Sequence, residues 1–253
     1  GCRQGDPMAS PLFILCIEFL STSIEKNEDI QGISLNNNCT KQTLFADDAS
    51  FLLNGTQKSF ETLITTLDDF GNTSGLKLNR NKCSVMRIGN MKNTDTSYDN
   101  EFKWTSSDTT TLGITFSNQL NTMFDSNLAN KITECKHVLK QWKKWNLTLI
   151  GKITVLKTFV LPKLIYPLTV LPNPPPDFVK SIKDIFFDFL WNSKPDKIAR
   201  KLIIQEYKDG GLKMIDIECF LDSLKISWIK RIIDSNANWS AQYKNELEKY
   251  GGL

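Results

Sequence analysis

The chain has 253 residues, of which 40% are hydrophobic and 23% charged, and its formal net charge is +3. With 13 Gly and 9 Pro, this composition excludes collagen-like, low-complexity and wholly disordered proteins, and it can form one large or two small domains. No apolar run approaches the ~18–20 residues that cross a bilayer, so we expect no membrane partner. The six cysteines include no C-x-x-C pair and the chain has a single histidine, which disfavours a structural zinc site and indicates reduced thiols in an intracellular protein.

In chain order, the first part of the sequence alternates between helical and strand patterns. Helices are predicted where apolar residues recur every three or four positions, and strands where short apolar runs are bounded by polar residues. The predicted elements are a helix over 12–26, two strands and a tight turn within 43–53, a helix over 57–73 ended by Gly75, a strand over 83–88, a polar loop or irregular hairpin over 90–110 and a strand over 111–116. The apolar stripe of the first helix consists of Leu12, Leu15, Cys16, Phe19 and Leu20.

From about residue 118 to the end, the pattern is helical. Thr148 is a suitable N-cap for one helix, and Pro162 is expected to end it. The other predicted helices lie around apolar stripes within 128–142, 178–189 and 220–232, separated by proline-rich and Gly-Gly breaks. The predicted fold class is therefore α+β, with antiparallel strands and packed helices, followed by an all-α part.

Lysines are concentrated in one stretch of this helical part. Residues 131–163 carry eight lysines against one acidic residue, whereas residues 1–130 carry 10 basic and 15 acidic groups. Such a basic density attracts polyanions, although a solvated helix face gives the same pattern. Trp142 and Trp145 lie between the lysines and favour nucleic acid over a membrane surface as the partner.

The clearest chemical signal is the sequence Phe45-Ala46-Asp47-Asp48 between the two predicted strands. Adjacent aspartates repel each other at a turn, where Asn-Gly or Asp-Gly are the usual residues. A hard divalent cation relieves this repulsion, because Mg²⁺ binds carboxylate oxygens and keeps positions for substrate phosphates and water. Asp47 and Asp48 are therefore candidate metal ligands, and the alternative is an ordinary acidic turn.

Further motifs surround this pair in a fixed order. They are Arg3-Gln4-Gly5-Asp6-Pro7 before the first helix, Ser74-Gly75-Leu76-Lys77-Leu78-Asn79 with Lys82 after the second, and Leu112-Gly113-Ile114 in the last strand. In this order and spacing the chain resembles the reverse transcriptase of non-LTR (LINE-type) retrotransposons. Later segments, such as Leu149-Ile150-Gly151-Lys152-Ile153 and Phe189-Leu190-Trp191-Asn192, are similar to that family's thumb and post-thumb, so the resemblance covers roughly residues 1–235.

The resemblance implies an RNA-directed DNA polymerase that adds dNTPs to a DNA 3′ end on an RNA template, using two Mg²⁺ ions, or Mn²⁺. Asp47 and Asp48 would hold the metals, and Lys82 would lie near the departing pyrophosphate. Gln4 and Gly5 would contact the incoming nucleotide and the template. The primer grip would be Leu112, Gly113 and Ile114. The thumb lysines that would contact the phosphates of the template–primer duplex are Lys136, Lys140, Lys143, Lys144 and Lys152.

The same resemblance divides the chain into a partial palm at 1–118, a basic helical thumb at 119–172 and a helical extension at 173–253. The family's third metal aspartate precedes the first of these motifs, as do the fingers. We therefore expect the chain to be a fragment that lacks the N-terminal fingers and palm of the same polyprotein and is inactive alone. The expected localisation is intracellular, nuclear and cytoplasmic. The alternatives are a non-catalytic nucleic-acid-binding remnant and a decayed, truncated product.

Overall fold

The computed structural model describes residues 3, 5–35, 38–235 and 237–251. The chain forms two compact units, one made of Gly1–Asn118 with Ala237–Gly252 and the other of Gln119–Asn236. The helices are α1 Ala9–Lys26, α2 Gln57–Ser74, α3 Leu120–Trp142, α4 Leu149–Val155, α5 Leu161–Val170, α6 Pro176–Trp191, α7 Arg200–Ile204, α8 Ile217–Asp234 and α9 Asn238–Glu248. The strands are β1 Ile33–Leu35, β2 Asn38–Thr40, β3 Gln42–Phe45, β4 Asp48–Phe51, β5 Ser84–Met86, β6 Lys103–Thr105, β7 Asp108–Thr111 and β8 Ile114–Ser117. The three-part division of the chain stays a prediction.

The strands of the first unit form small two-stranded sheets. β1–β2, β3–β4 and β7–β8 are antiparallel hairpins, whereas β5 and β6 pair in parallel. The prediction of two strands and a tight turn within 43–53 is confirmed by the β3–β4 hairpin. For residues 90–110 the predicted polar loop is wrong in part, because the segment contains β6 and most of β7. The alternative, an irregular hairpin, is wrong as well, because β6 pairs with β5 and β7 pairs with β8. Strands β6 and β7 contain four threonines and one tryptophan, whose branched or aromatic side chains suit a pleated surface even when the segment is polar.

Helices α1 and α2 form a core with the loop that follows α1. Leu20 and Ile24 of α1 pack with Ile30 and with Leu63 and Leu67 of α2. Thr56 caps α2 by accepting a hydrogen bond from the Ser59 amide, and Gly75 ends the helix in the left-handed region, as predicted. Both helices therefore form where the apolar periodicity predicted them.

The buried face of α1 differs from the predicted stripe. Of the stripe residues only Leu20 is buried, whereas Leu15 and Phe19 are 67% and 70% exposed. Leu12 is 42% exposed, and Cys16 is exposed as well. The first half of α1 is apolar on most of its circumference, so the spacing of its residues predicts a helix without specifying which side is covered.

An aromatic cluster packs the segments after α2 against that helix. The ring of Phe60 lies 5.3 to 5.8 Å from the rings of Tyr98, Phe102 and Trp104. The Tyr98 hydroxyl donates a hydrogen bond of 2.6 Å to the Gly55 carbonyl, just before α2. This cluster fixes β6 and the long connection before it on the same side of α2.

In the second unit, all regular elements of the described residues are helical, and one long stretch forms their centre. A π-helical segment, Leu156–Val160, joins α4 to α5. Thr148 caps α4, as predicted, by accepting from the Gly151 amide at 3.2 Å. The prediction that Pro162 ends this helix is wrong, because Pro162 lies in the first turn of α5. Its missing N–H costs nothing at that position, and the helix continues to Val170.

The stretch Leu149–Val170 contradicts the prediction that no apolar run approaches the length needed to cross a bilayer. An 18-residue part of this 22-residue helix has a mean hydropathy of 1.4, so by length and composition the helix could cross a membrane. The apolar residues do not form a continuous run in the sequence, because Lys152, Lys157 and Lys163 interrupt them. Core helices of soluble proteins have the same length and composition, and 44% of that 18-residue part is buried inside the structure.

Candidate functional site

The candidate metal ligands lie at the tip of the β3–β4 hairpin. Phe45 pairs with Asp48 across the two strands, so Ala46 and Asp47 are the two central residues of the turn. Ala46 has φ 52°, in the left-handed region that glycine normally occupies in such hairpins. A residue with a Cβ costs roughly 1–2 kcal/mol there, so the hairpin holds the acidic pair on a strained turn.

Both carboxylates are exposed and unneutralised by the fold. Within the described part of the chain, the carboxylates of Asp47 and Asp48 make no hydrogen bond or ion pair, and both side chains are exposed. Carboxylate oxygens are the ligands that Mg²⁺ prefers, so the donor chemistry of this pair fits the expected metal. Among the same described residues, no group of three or more His, Cys, Asp or Glu side chains is placed to hold a metal ion. Asp47 and Asp48 are therefore two candidate metal ligands that do not form a complete metal site with the other described residues.

The predicted primer-grip residues form a second hairpin turn. Leu112 and Gly113 have φ 49° and 74°, which places them at the centre of a type I′ turn between β7 and β8. The continuous strand predicted over 111–116 is therefore wrong. The sequence suggested a strand because Leu-Gly is not a common pair at such turns, where Asn-Gly is the usual one. Ile114 begins β8 and is 2% exposed.

Side-chain hydroxyls join this second hairpin to its neighbours. Ser50 Oγ of β4 lies 3.4 Å from Thr111 Oγ1 of β7, and Ser84 Oγ of β5 lies 2.8 Å from Thr109 Oγ1. Ser50 follows Asp48 by two positions, and Thr111 directly precedes the Leu112–Gly113 turn. The structure therefore brings the acidic hairpin and the predicted primer grip together.

The turn at Leu112 gives a testable expectation for stability. Asparagine tolerates the left-handed region better than leucine, so Leu112→Asn should raise the free energy of unfolding by about 1 kcal/mol, as measured by urea titration. Leu76 provides the control, because it is exposed to the same extent and lies outside the helices and strands without a positive φ. Leu76→Asn should change stability by less than about 0.5 kcal/mol. Equal effects of the two substitutions would contradict the strained turn.

Of the predicted nucleotide-contacting pair, Gln4 lies outside the described residues. Gly5 has φ +90°, and a Cβ at this position would meet nothing within 4 Å. The glycine is thus required by the backbone conformation and not by a close approach to another described part of the chain. Asp6 Oδ1 accepts a hydrogen bond from the Met8 amide at 2.8 Å, so this turn also leads the chain into α1.

Lys82 lies beside an anchored arginine. It ends the 3₁₀ segment Arg80–Lys82 and is exposed, and its ammonium group makes no hydrogen bond or ion pair with the residues that the structure describes. Arg80 contacts the carboxylates of Asp68 at 2.6 Å, Glu101 at 2.8 Å and Asp99 at 3.3 Å. Burial lowers the pKa of Arg80, but the three carboxylates outweigh it and the pKa is raised. The segment is thus held by Arg80, while the Lys82 ammonium remains free to meet an anion.

Four of the five predicted phosphate-contacting lysines lie on the surface of the second unit, and Lys136, Lys140 and Lys144 form no ion pair in its described part. Lys136 and Lys140 are exposed, and their ammonium groups have no hydrogen bond or ion pair in the part of the unit that the structure describes. Lys144 is exposed and donates to Gln141 Oε1 at 3.0 Å. The first two are therefore uncompensated cations on the same face of α3, one helical turn apart.

Lys143 is bound by the fold itself. Its ammonium contacts Asp188 Oδ2 at 2.7 Å and Ser193 Oγ at 3.1 Å. The hydrogen bond from Lys143 is the main cause that lowers the pKa of Asp188, against burial, which raises it. Lys143 therefore has much of its charge neutralised before any phosphate approaches.

Lys152 is a structural residue, which corrects its assignment as a phosphate contact. It is 6% exposed, and its ammonium donates to the Leu190 carbonyl at 2.9 Å and to Asn192 Oδ1 at 2.8 Å. These acceptors lie at the end of α6, where a cation interacts favourably with the last carbonyls. Burial and the nearby Lys143 both lower the pKa of Lys152. One of the eight lysines in 131–163 is thus a buried helix cap, and the sequence alone does not distinguish it from the exposed lysines.

Comparisons with known proteins agree with part of this interpretation. Residues 1–116, just under half of the chain, match the family model of reverse transcriptase (RNA-dependent DNA polymerase). Over 55 residues the chain is 44% identical to an uncharacterized mitochondrial protein of Arabidopsis thaliana, a match that covers 20% of this chain and 45% of that protein. The chain therefore spans less than half the length of this relative. The segment matched by the family model contains Asp47, Asp48 and Lys82, together with most of the second hairpin.

Proposed function

We propose that the chain is part of an RNA-directed DNA polymerase of the LINE type, which adds dNTPs to a DNA 3′ end on an RNA template. The observation that carries the proposal is the pair Asp47 and Asp48, adjacent, exposed and unneutralised at a strained hairpin tip inside the segment that matches reverse transcriptases. An ordinary acidic turn gains nothing from this arrangement, whereas a site for a hard divalent cation requires it.

In this proposal Asp47 and Asp48 hold Mg²⁺ or Mn²⁺, two ions in the complete enzyme. When bound, the metal supplies the charge that activates an attacking hydroxyl and stabilises the leaving phosphate oxygen. Lys82 offsets the negative charge of the departing pyrophosphate. The Leu112–Gly113 turn, joined to the acidic hairpin through Ser50 and Thr111, supports the primer end.

The remaining parts of the proposal concern architecture and partners. The first unit serves as a partial palm, and the helices of the second unit serve as a thumb and its extension, with Lys136, Lys140 and Lys144 on phosphates of the bound nucleic acid. The exposed apolar face of α1, defined by Leu12, Leu15 and Phe19, supports a covering partner, which we propose is the fingers and remaining palm of the same polyprotein. The complete protein would act inside the cell, in nucleus and cytoplasm.

The isolated chain should have no polymerase activity above background, because its carboxylates form an incomplete metal site. The test is therefore the binding of an RNA–DNA template–primer, measured by fluorescence anisotropy with and without millimolar Mg²⁺. We expect Mg²⁺ to tighten binding about tenfold, and we expect Asp47→Asn to remove this Mg²⁺ dependence while leaving the Mg²⁺-free affinity unchanged.

A matched control is available in the same part of the chain. Asp95 is exposed and has no partner among the described residues, so Asp95→Asn changes the charge equally without touching the hairpin. It should leave the Mg²⁺ dependence intact. If Asp47→Asn and Asp95→Asn behave alike, the metal site is rejected. Binding that is tight but independent of Mg²⁺ would favour the second candidate, a non-catalytic nucleic-acid-binding remnant, which the incomplete ligand set of the described residues also supports.

A further inference from the structure

A groove of about 430 Å³ runs between α3 and α6 in the second unit. Its floor is apolar and includes Leu139, Ile185 and Phe189. Lys136 and Lys140 line the α3 side, together with Lys143, at the spacing of a single helix face. Its volume lies in the range of sites that enclose small organic ligands, and it combines an apolar floor with convergent charges, as such sites do.

The charges of the groove do not cancel. On the α6 side, Asp188 is bound by Lys143 at 2.7 Å, and Asp184 is 3.4 Å from Arg200. Both acidic groups of the groove therefore have cationic partners within the fold. Lys136 and Lys140 have none in the described residues, and they leave a net positive charge at the α3 rim. The groove thus presents an uncompensated anion-binding rim above an apolar floor.

We propose that this groove binds a nucleotide of a single-stranded nucleic acid, with phosphates on Lys136 and Lys140 and the base against the apolar floor at Ile185. The inference rests on the proposed function for the presence of a nucleic-acid partner, and it names where an unpaired strand is held. A base inside a duplex cannot reach an apolar floor, because its faces are stacked and its edges paired. Sites for single strands combine a basic rim for the backbone with a surface that contacts base faces.

Binding in this groove differs in its requirements from general electrostatic attraction to the lysine-rich region. Diffuse attraction depends on net charge alone, whereas the groove also needs the base and an open floor. Replacing Lys136 and Lys140 with Glu tests the rim, and removing the bases from the ligand tests the floor without any change in the protein. Control lysines of the same unit are Lys208 and Lys230, which are exposed and have no partner in the described region.

The experiment measures binding of the full chain to a fluorescein-labelled single-stranded RNA and to a strand of equal length with abasic sites. We expect the double substitution Lys136→Glu and Lys140→Glu to weaken RNA binding at least about tenfold. Lys208→Glu with Lys230→Glu should weaken it less than about threefold at physiological salt, where distant charges are screened. The abasic strand should bind at least about fivefold more weakly than the RNA. Circular dichroism verifies that each variant is folded.

The outcomes separate this inference from the function on which it rests. Equal weakening by the rim and control substitutions, or equal affinity for RNA and the abasic strand, overturns the groove and leaves the nucleic-acid partner in place. Failure of the unchanged chain to bind single strands, while it still binds the template–primer, also overturns only the groove. Failure to bind either nucleic acid overturns the proposed function as well.

Discussion

Lys152→Met should lower the free energy of unfolding of the second unit by about 2 kcal/mol. The substitution keeps the length of the side chain but removes the donor that satisfies the buried Leu190 carbonyl. The substitution also removes the desolvation cost of a buried ammonium, which partly offsets this loss. That cost is evident from the pKa of Lys152, which burial lowers. The unsatisfied carbonyl at the end of α6 outweighs that gain, since a buried acceptor without a partner costs ~1–3 kcal/mol.

Urea unfolding followed by tryptophan fluorescence measures this effect, because Trp191 lies next to Leu190 and is buried. The control is Lys140→Met, which removes an exposed ammonium without a partner in the described residues and should change stability by less than about 0.5 kcal/mol. If Lys152→Met and Lys140→Met have the same stability, Lys152 is not a helix cap.

The lowered pKa of Lys152 also predicts how this difference depends on pH. In the folded state the ammonium releases its proton at a lower pH than in the unfolded state, so the unfolded state binds more protons between the two values. The stability of the unchanged protein relative to Lys152→Met should therefore rise as the pH increases through that alkaline interval. A falling difference would mean that the fold stabilises the charged form.

The acidic hairpin shows what local sequence rules can predict. Two short apolar runs around Asp47 and Asp48 predict two strands and a tight turn, and the structure forms that hairpin. The Thr148 and Gly75 caps follow from equally local chemistry, because a threonine hydroxyl or a glycine at a helix end acts on neighbouring amides. Such features depend on few residues close in sequence, so the sequence specifies them.

Features that depend on residues distant in sequence could not be predicted from local sequence patterns. In the sequence, Lys152 is one of several lysines in a basic stretch. Its burial is caused by packing against the end of α6, about forty positions later, where it contacts the Leu190 carbonyl. The apolar pattern predicts that Leu112 belongs to a strand. Its left-handed conformation could not be predicted, because the pairing of β7 with β8 imposes it. Sequence periodicity cannot identify which side of α1 is covered, since that depends on α2 and Ile30.

The two hairpins explain how a small, strained region can hold a charged pair in place. Ala46 and Leu112 both adopt positive φ values, and each costs stability that glycine or asparagine would spare. The hydroxyl contact between Ser50 and Thr111 joins the strands that carry these turns. Strain that is maintained at two neighbouring turns fits a site whose geometry matters more than its stability, as the proposed metal and primer functions require.

Ile24→Ala should destabilise the first unit by 2–5 kcal/mol, whereas Leu15→Ala, on the same helix, should cost less than about 0.5 kcal/mol. Ile24 is 0% exposed and lies in the core with Leu63 and Leu67, so truncation leaves a cavity. Leu15 is 67% exposed, so its truncation removes few contacts. Urea unfolding followed by far-ultraviolet circular dichroism measures both variants.

Substitutions at the same two positions test the proposal that a further part of the polyprotein covers α1. If the face of Leu12, Leu15 and Phe19 is open in the isolated chain, Leu15→Glu should preserve stability and raise the concentration at which the chain aggregates, because it interrupts an exposed apolar patch. Ile24→Glu should instead unfold the unit, since it buries an unpaired charge. A Leu15→Ala variant as unstable as Ile24→Ala would show that this face is already covered within the chain, and the partner proposed for it would then have no surface to bind.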